Sequence, residues 1–138
     1  MGPAPAPAPV ADRLRLAPGT DALCIERLRR LGGLPLSLDL TYIPLGIGTE
    51  LLGADLENTD VFRLLEAATG RHVGRAEITL EAVSADTHSA AVLAAPRGAA
   101  VLMLERLTHL ADGRPVDLEF IRFRGDRITM SGLLHRTR

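Results

Sequence analysis

Arg27 and Arg29 stand two residues apart in a segment, residues 22–31, that alternates like a β-strand. Alternate strand positions share a face, so the two guanidiniums can converge on one anion, and arginine suits bidentate recognition of an oxyanion. The same spacing also describes a solvated face on which Arg27 merely pairs with a carboxylate, and periodicity alone leaves both readings open. Asp39 and Asp117 could accept hydrogen bonds from hydroxyl or amino groups, or could close surface ion pairs. Paired carboxylates can also do general acid–base work, but no spacing of nucleophile and base accompanies them. His72, His88, His109 and His135 are scattered without metal-ligand spacing, Cys24 is the single cysteine, and no glycine-rich phosphate loop is present. The residues favour binding over catalysis.

The elements that must position these side chains can be read from turns and polarity. Residues 22–31 and 35–44 form a hairpin joined by Gly32-Gly33-Leu34. With Leu31 opposite Pro35, Arg27 faces Asp39 and Arg29 faces Ser37. Cys24, Leu28, Leu36, Leu38, Leu40 and Tyr42 then share the other face. A one-residue slip would set Arg27 against Leu38, so the register that segregates charge is expected. A second hairpin runs through 100–110 and 115–124. It turns at Asp112-Gly113, a pair that type I′ turns prefer, and places Arg106 opposite Glu119 and Thr108 opposite Asp117.

Between the hairpins, a short helix is expected around Gly48–Leu52 and a better one over Thr59–Thr69. The latter has Val61, Leu64, Leu65 and Ala68 on one stripe, Thr59 or Asp60 as N-cap and Gly70 as its stop. Residues 72–83 read as a strand, Asp86 to Ala94 as a short helix closed by Pro96 and Gly98, and 127–135 as a final strand. The Ala-Pro repeat from Pro3 to Pro9 reads as a polyproline-II spacer, and residues 1–20 as a linker ahead of a domain over 21–138. The two hairpins echo each other: Glu26-Arg27-Leu28 with Gly33 and Pro35 matches Glu105-Arg106-Leu107 with Gly113 and Pro115. The expected fold is α+β, an antiparallel sheet of two pseudo-repeated hairpins with helices packed against it.

Composition narrows the function classes. A net charge of −1 and 46% apolar residues describe an ordinary globular domain without the clustered Lys/Arg that phosphate backbones require. Neither a signal peptide nor a membrane-crossing apolar run is visible, and a single cysteine suits a reducing cytoplasm.

Several landmarks then occur in a characteristic order. They are Ile25-Glu26-Arg27-Leu28-Arg29, Gly33-Leu34-Pro35, Tyr42-Ile43-Pro44, and Val61-Phe62-Arg63-Leu64-Leu65-Glu66 with Gly70. Val101 to Arg106, Asp112 to Val116 and Arg124-Gly125-Asp126-Arg127 follow. The ordered set resembles the UTRA domain of HutC-type regulators in the GntR superfamily, across roughly residues 22–136. The resemblance implies a chorismate-lyase-like fold, a pocket for a small-molecule effector, homodimers, and a DNA-binding winged helix-turn-helix that precedes this domain in the family. It implies no cofactor and no enzyme activity. A chorismate-lyase-like enzyme and a freestanding binding module are the alternatives, because fold alone does not fix function.

By that resemblance, Arg27 and Arg29 occupy the positions of an arginine pair that grips anionic effector groups. Asp39 and Asp117 fall at acidic positions that contact hydroxyls or amines, and Phe123 at a position often held by Tyr. Asp60 departs from the family: relatives that bind phosphorylated sugars carry Ser at or beside it, at a helix start where backbone donors hold phosphate. An aspartate there caps the helix and repels a dianion, leaving Thr59 to supply a hydroxyl. The expected effector therefore carries modest negative charge or is a zwitterion, and DNA binding is expected only through the preceding domain.

Overall fold

A computed structural model of the chain describes residues 2–51 and 60–137. Its frame is one antiparallel sheet with strand order β1-β2-β3-β6-β5-β4. The strands are β1 (Gly2–Pro5), β2 (Asp21–Leu31), β3 (Leu34–Pro44), β4 (Val73–Ser84), β5 (Ala100–Leu110) and β6 (Pro115–Arg124). Helices α1 (Ala8–Arg13) and α4 (Thr87–Val92) cover one face. On the other face lie α2 (Leu45–Gly48), a single 3₁₀ turn over Thr49–Leu51, and α3 (Val61–Thr69). The fold is the expected α+β architecture.

The charge-segregating registers are present. Arg27 pairs with Asp39 and Arg29 with Ser37, while Arg106 pairs with Glu119 and Thr108 with Asp117. The turns differ from expectation, and each difference has a backbone cause. Gly32 and Gly33 both have positive φ, 59° and 80°, which is the signature of a two-residue type I′ turn. Leu31 accordingly pairs with Leu34 rather than Pro35, and the register steps between Arg29 and Arg30, leaving Leu36 without a partner. The step moves Leu36 off the face of Leu38, and it packs instead with Leu104, Ile121 and Phe123. At the other hairpin only Gly113 has positive φ, at 89°. Its amide donates to the Leu110 carbonyl and Leu110 donates to that of Arg114, so the turn is a type I turn followed by a left-handed glycine.

The N-terminal segment is not a spacer. Gly2 to Pro5 pair with Cys24 to Asp21, and α1 buries Val10, Ala11 and Leu14 against Ala22, Leu107 and Leu118. Prolines at alternate positions remove donors from one side of a strand only, which an edge strand tolerates. Pro7 and Pro9 flank the start of α1, where missing amide donors cost nothing.

This segment completes the internal repeat. The order strand, helix, hairpin occurs twice, with counterparts a constant interval apart: Ala8 with Thr87, Leu14 with Leu93, and Asp21 with Ala100. Arg15 and Ala94 both adopt positive φ just after their helices, at 56° and 53°, and Gly19 and Gly98 both sit at 80°. The Ala6 amide donates to the Thr20 carbonyl as that of Ala85 does to Ala99. The duplication thus extends well beyond the hairpins, and β1 and β4 are its two sheet edges.

α3 has the expected start and stop. The Asp60 carboxylate accepts from the Phe62 amide at 2.9 Å, and Gly70 ends the helix at φ 68°. Leu65 is fully buried with Leu23, Ile25, Ile43 and Val116, which anchors the helix over the sheet. The helix expected over Gly48–Leu52 is represented by α2 and the 3₁₀ turn, and Leu52 lies outside the described residues. Residues 127–135 form no strand. β6 lies inside the sheet between β3 and β5, so chain leaving its end has no free edge beside it.

Near that exit, Arg124 holds the second unit together. Its guanidinium donates to both carboxylate oxygens of Asp126 and to the carbonyls of Leu93 and Ala94, at 2.8 to 3.0 Å. The Arg-Gly-Asp-Arg landmark is therefore a clasp on the C-terminal end of α4. Arg127 adds a 2.7 Å bond to the Pro35 carbonyl.

Candidate ligand-binding site

A cavity of about 900 Å³ opens between β2, the start of α3, and the central part of the sheet. Arg27, Arg29, Arg30, Asp60, Phe62, Arg106 and Glu119 are among its lining residues. Its size suits a small metabolite. β2 supplies the arginines because its alternation turns Arg27 and Arg29 to the face that α3 partly covers. α3 supplies Asp60, Val61 and Phe62 because its N-cap faces the same opening.

Of the residues singled out from sequence, Arg27, Arg29 and Asp60 meet at this cavity. Asp39 is not among the lining residues and is buried, 2% exposed. It accepts a 2.7 Å bond from the Ser37 hydroxyl, and Arg29 stands 3.9 Å from its other oxygen. Burial pushes the Asp39 carboxyl above the usual range, opposed by the Ser37 hydroxyl and then by Arg29 and Arg27. Asp117 is completely buried. Its oxygens lie against Glu119 and the Thr108 hydroxyl without reaching hydrogen-bond geometry. Burial, reinforced by the Glu119 charge, raises its carboxyl well above the ordinary value. Phe123 packs in a cluster with Leu104 and Ile121 rather than at the cavity. Thr59 lies outside the described residues.

Two further cavity residues, Arg106 and Glu119, lie outside the site residues expected from sequence. Glu119 is 3% exposed, and Arg106 binds it through both Nε, at 2.6 Å, and a terminal nitrogen. The Arg106 guanidinium also lies 5.2 Å from the ring centre of Phe62. The strand-floor pair is thereby tied to the first turn of α3. The sequence signal for them is the internal echo, in which Arg106 and Glu119 are the second-unit counterparts of Arg27 and Asp39.

The cavity therefore sets Arg27, Arg29 and Arg30, with Glu26 and Asp60 among them, against the Arg106–Glu119 pair on the sheet. Arg29 and Arg30 are exposed at its mouth and Glu119 is buried in its lining, while Asp39 and Asp117 are buried in the sheet outside the lining. Such an arrangement can hold an anionic group at the rim through charged hydrogen bonds. Among the described residues, no group of three His, Cys, Asp or Glu side chains could hold a metal ion. No helix among them is long and apolar enough to cross a membrane.

Comparison with known proteins fits this architecture. The UTRA domain family matches residues 1–129. The HTH-type transcriptional regulator Rv0792c of Mycobacterium tuberculosis is 29% identical over 136 residues, covering 96% of this chain and 49% of the regulator. A GntR-family transcriptional regulator from Enterococcus faecalis superposes with a TM-score of 0.89 at 23% identity, covering 96% of this chain and 94% of that one. The effector domain of PhnF from Mycobacterium smegmatis superposes with a TM-score of 0.88 at 21% identity, covering 98% and 83%. The chain spans about half the length of the curated relatives it matches, and those relatives are transcription regulators, not enzymes. A six-stranded antiparallel sheet with this order, carrying a cavity between β2 and α3 and matched by the family along nearly its whole length, places the chain in the UTRA family, the effector-binding domain of GntR-family transcriptional regulators.

Proposed function

We propose that this domain senses a small cytoplasmic metabolite bearing a carboxylate or zwitterionic group, and that binding alters operator affinity of a winged helix-turn-helix domain preceding it in a homodimeric regulator. The observation that carries the reading is the cavity whose mouth gathers Arg27, Arg29 and Arg30 next to the N-cap of α3. In it, the ligand's anionic group bonds Arg27 and Arg29, and its hydroxyl or amino groups meet the Arg106–Glu119 floor. Asp39 and Asp117 act from outside the lining, with Asp39 holding Arg29 in place.

Asp60 sets the charge limit. Its carboxylate caps α3 and lines the cavity, so it occupies the donors that would otherwise greet a phosphate and adds repulsion to a dianion. A thermal-shift screen of amino acids, carboxylates and sugar phosphates tests this. Stabilisation by a carboxylate or amino acid is expected, and a clear shift with a sugar phosphate would reject the charge assignment. The domain by itself is expected to leave duplex DNA unretarded in a gel-shift assay at physiological salt, because its arginines lie among 17 acidic residues.

A further inference from the structure

A second cavity, of about 460 Å³, lies on the α1 face of the sheet, where the end of α1 meets the β5–β6 turn and the start of β4. Leu14, Pro44 and Pro115, all buried, form its floor, and Arg15, Arg75 and Arg114, all exposed, stand around its mouth. Asp112 is the one acid among its lining residues, and both its oxygens are engaged. Oδ1 accepts from the Arg114 amide at 3.0 Å, and Oδ2 stands 3.3 Å from Arg71. Among the described residues, no carboxylate forms an ion pair with Arg15, Arg75 or Arg114. Glu77 lies one step further along β4 on the face of Arg75, beside Leu107. Arg15 reaches only the Gly113 carbonyl, at 3.5 Å.

The internal repeat supplies a control. Pro44 pairs with Ala22 as Arg124 pairs with Val101, so Pro44 takes in the first unit the place of Arg124 in the second. There the guanidinium of Arg124 fills the space after α4 and binds the Leu93 and Ala94 carbonyls. Proline reaches less far, and the same space in the first unit is part of the cavity. The mouth is exchanged in the opposite sense: Arg15 and Arg114 have Ala94 and Leu34 as their counterparts, neither of them charged. One unit thus carries a single arginine inside, where it closes the structure. The other carries three around an apolar hollow, where they repel one another until an anion joins them.

Beneath the hollow lies His109. It is the cross-strand partner of Arg75 on one side and of Pro115 on the other, so it shares their face and stands between two lining residues. It is 3% exposed, and its Nδ1 meets no hydrogen-bond partner. A buried ring nitrogen without a partner is costly. Burial holds the imidazole below its usual pKa, and Arg75 and Arg15 push the same way against Glu77. The ring is therefore neutral at neutral pH and sensitive to any charge placed between those arginines.

We propose that this second cavity binds a small organic anion with an apolar body, its charge held between Arg15, Arg75 and Arg114 and its body laid on the Pro44–Pro115 floor. Guanidinium groups suit a carboxylate through paired charged hydrogen bonds. Proline has no amide donor, so the floor rewards apolar contact and offers nothing to an inorganic ion. The volume suits a molecule of that kind. The site is separate from the sensing cavity, which lies on the α3 face and shares no lining residue with it.

Titration of the full chain with benzoate, followed at the His109 ring by NMR, tests the site. His109→Gln assigns the signal, and circular dichroism verifies folding of every variant. A saturable shift of the His109 ring is expected. Arg15→Ala and Arg75→Ala should each weaken the apparent affinity roughly tenfold, and R15A/R75A should abolish saturation. Acetate, with the same charge and no apolar body, should bind about tenfold more weakly than benzoate. Absence of a saturable shift, or an unchanged affinity in R15A/R75A, would overturn the site. Acetate or inorganic phosphate binding as tightly as benzoate would overturn the class of ligand. Arg29→Ala should leave the His109 response intact. Loss of the response in that variant but not in Arg75→Ala would place benzoate in the sensing cavity, overturning the second site and leaving the first reading standing.

Discussion

The two hairpins carry the same pattern and use it differently. Each places an arginine of its first strand opposite a carboxylate of its second, Arg27 with Asp39 and Arg106 with Glu119. In the second hairpin the pair closes at short range, and Arg106 also packs on Phe62. In the first, Asp39 is bonded by Ser37 and only distantly approached by Arg29, whose side chain is 60% exposed. Position explains the difference. β5 and β6 run under the start of α3, and Phe62 covers their pair, whereas Arg29 at the far end of β2 reaches the open mouth of the cavity. Shielding turns an arginine into part of the frame; exposure leaves one able to receive a ligand.

Removing an arginine from each hairpin should therefore give opposite results. Arg106→Ala strands the buried Glu119 and removes the contact to Phe62. A loss of about 3 kcal/mol in urea denaturation is expected, with Arg106 itself still partly in water. An unchanged midpoint would end the distinction between the hairpins. Arg29→Ala and Arg27→Ala should each cost about 1.5–3 kcal/mol of ligand affinity by calorimetry, while stability moves by less than about 1 kcal/mol. Equal losses of stability in all three variants would make the arginines equivalent.

The buried acids sharpen the contrast through pH. Asp117 has its folded-state carboxyl raised well above the unfolded value by burial and by Glu119. Its contribution is thus present at acid pH, below the unfolded carboxylate range, and is lost as pH rises through the raised folded value. Asp117→Asn removes the charge that burial opposes. It should stabilise the domain by about 1–2 kcal/mol at pH 7 to 8, with the gain vanishing as the buffer approaches the carboxylate range. A thermal melt series against pH reads this directly, and a destabilised variant at neutral pH would show that Asp117 is ionised and paired.

The smallest effect belongs to the helix that distinguishes the two hairpins. Asp60→Ala removes the N-cap of α3 and should cost about 1 kcal/mol, whereas Asp60→Asn keeps the cap and should cost a few tenths. Since only the charge is lost, Asp60→Asn should also relax discrimination against sugar phosphates in the thermal-shift screen. If both variants reject them as wild type does, Asp60 is a cap and nothing more.

Local chemistry made much of this legible from residue order. Asp60 and Gly70 bracket α3 as their side-chain oxygen and backbone freedom require. Charge segregation pointed to the first hairpin's register, because a slip would set Arg27 against Leu38, and the Asp112-Gly113 turn pointed to the second's. The ordered landmarks carried the family. The Ala-Pro start misled for a local reason as well: alternate prolines describe a spacer and a sheet-edge strand equally, and only the presence of β2 beside them decides between the two.

What the residue types and their spacing determined, then, was which faces are charged, where helices start and stop, and that the chain is built of two related halves. Tertiary structure alone decided that Arg106 closes on Glu119 at short range and stacks on Phe62, while Arg29 stands exposed at the cavity mouth. It also decided that Asp39 and Asp117 are buried outside the cavity lining and that Phe123 packs in the core. Cross-strand partners follow from a pattern of period two, which sequence records. Access to water follows from which strand a helix of another segment comes to rest upon, and that depends on the packing of Leu65 among side chains of four distant strands.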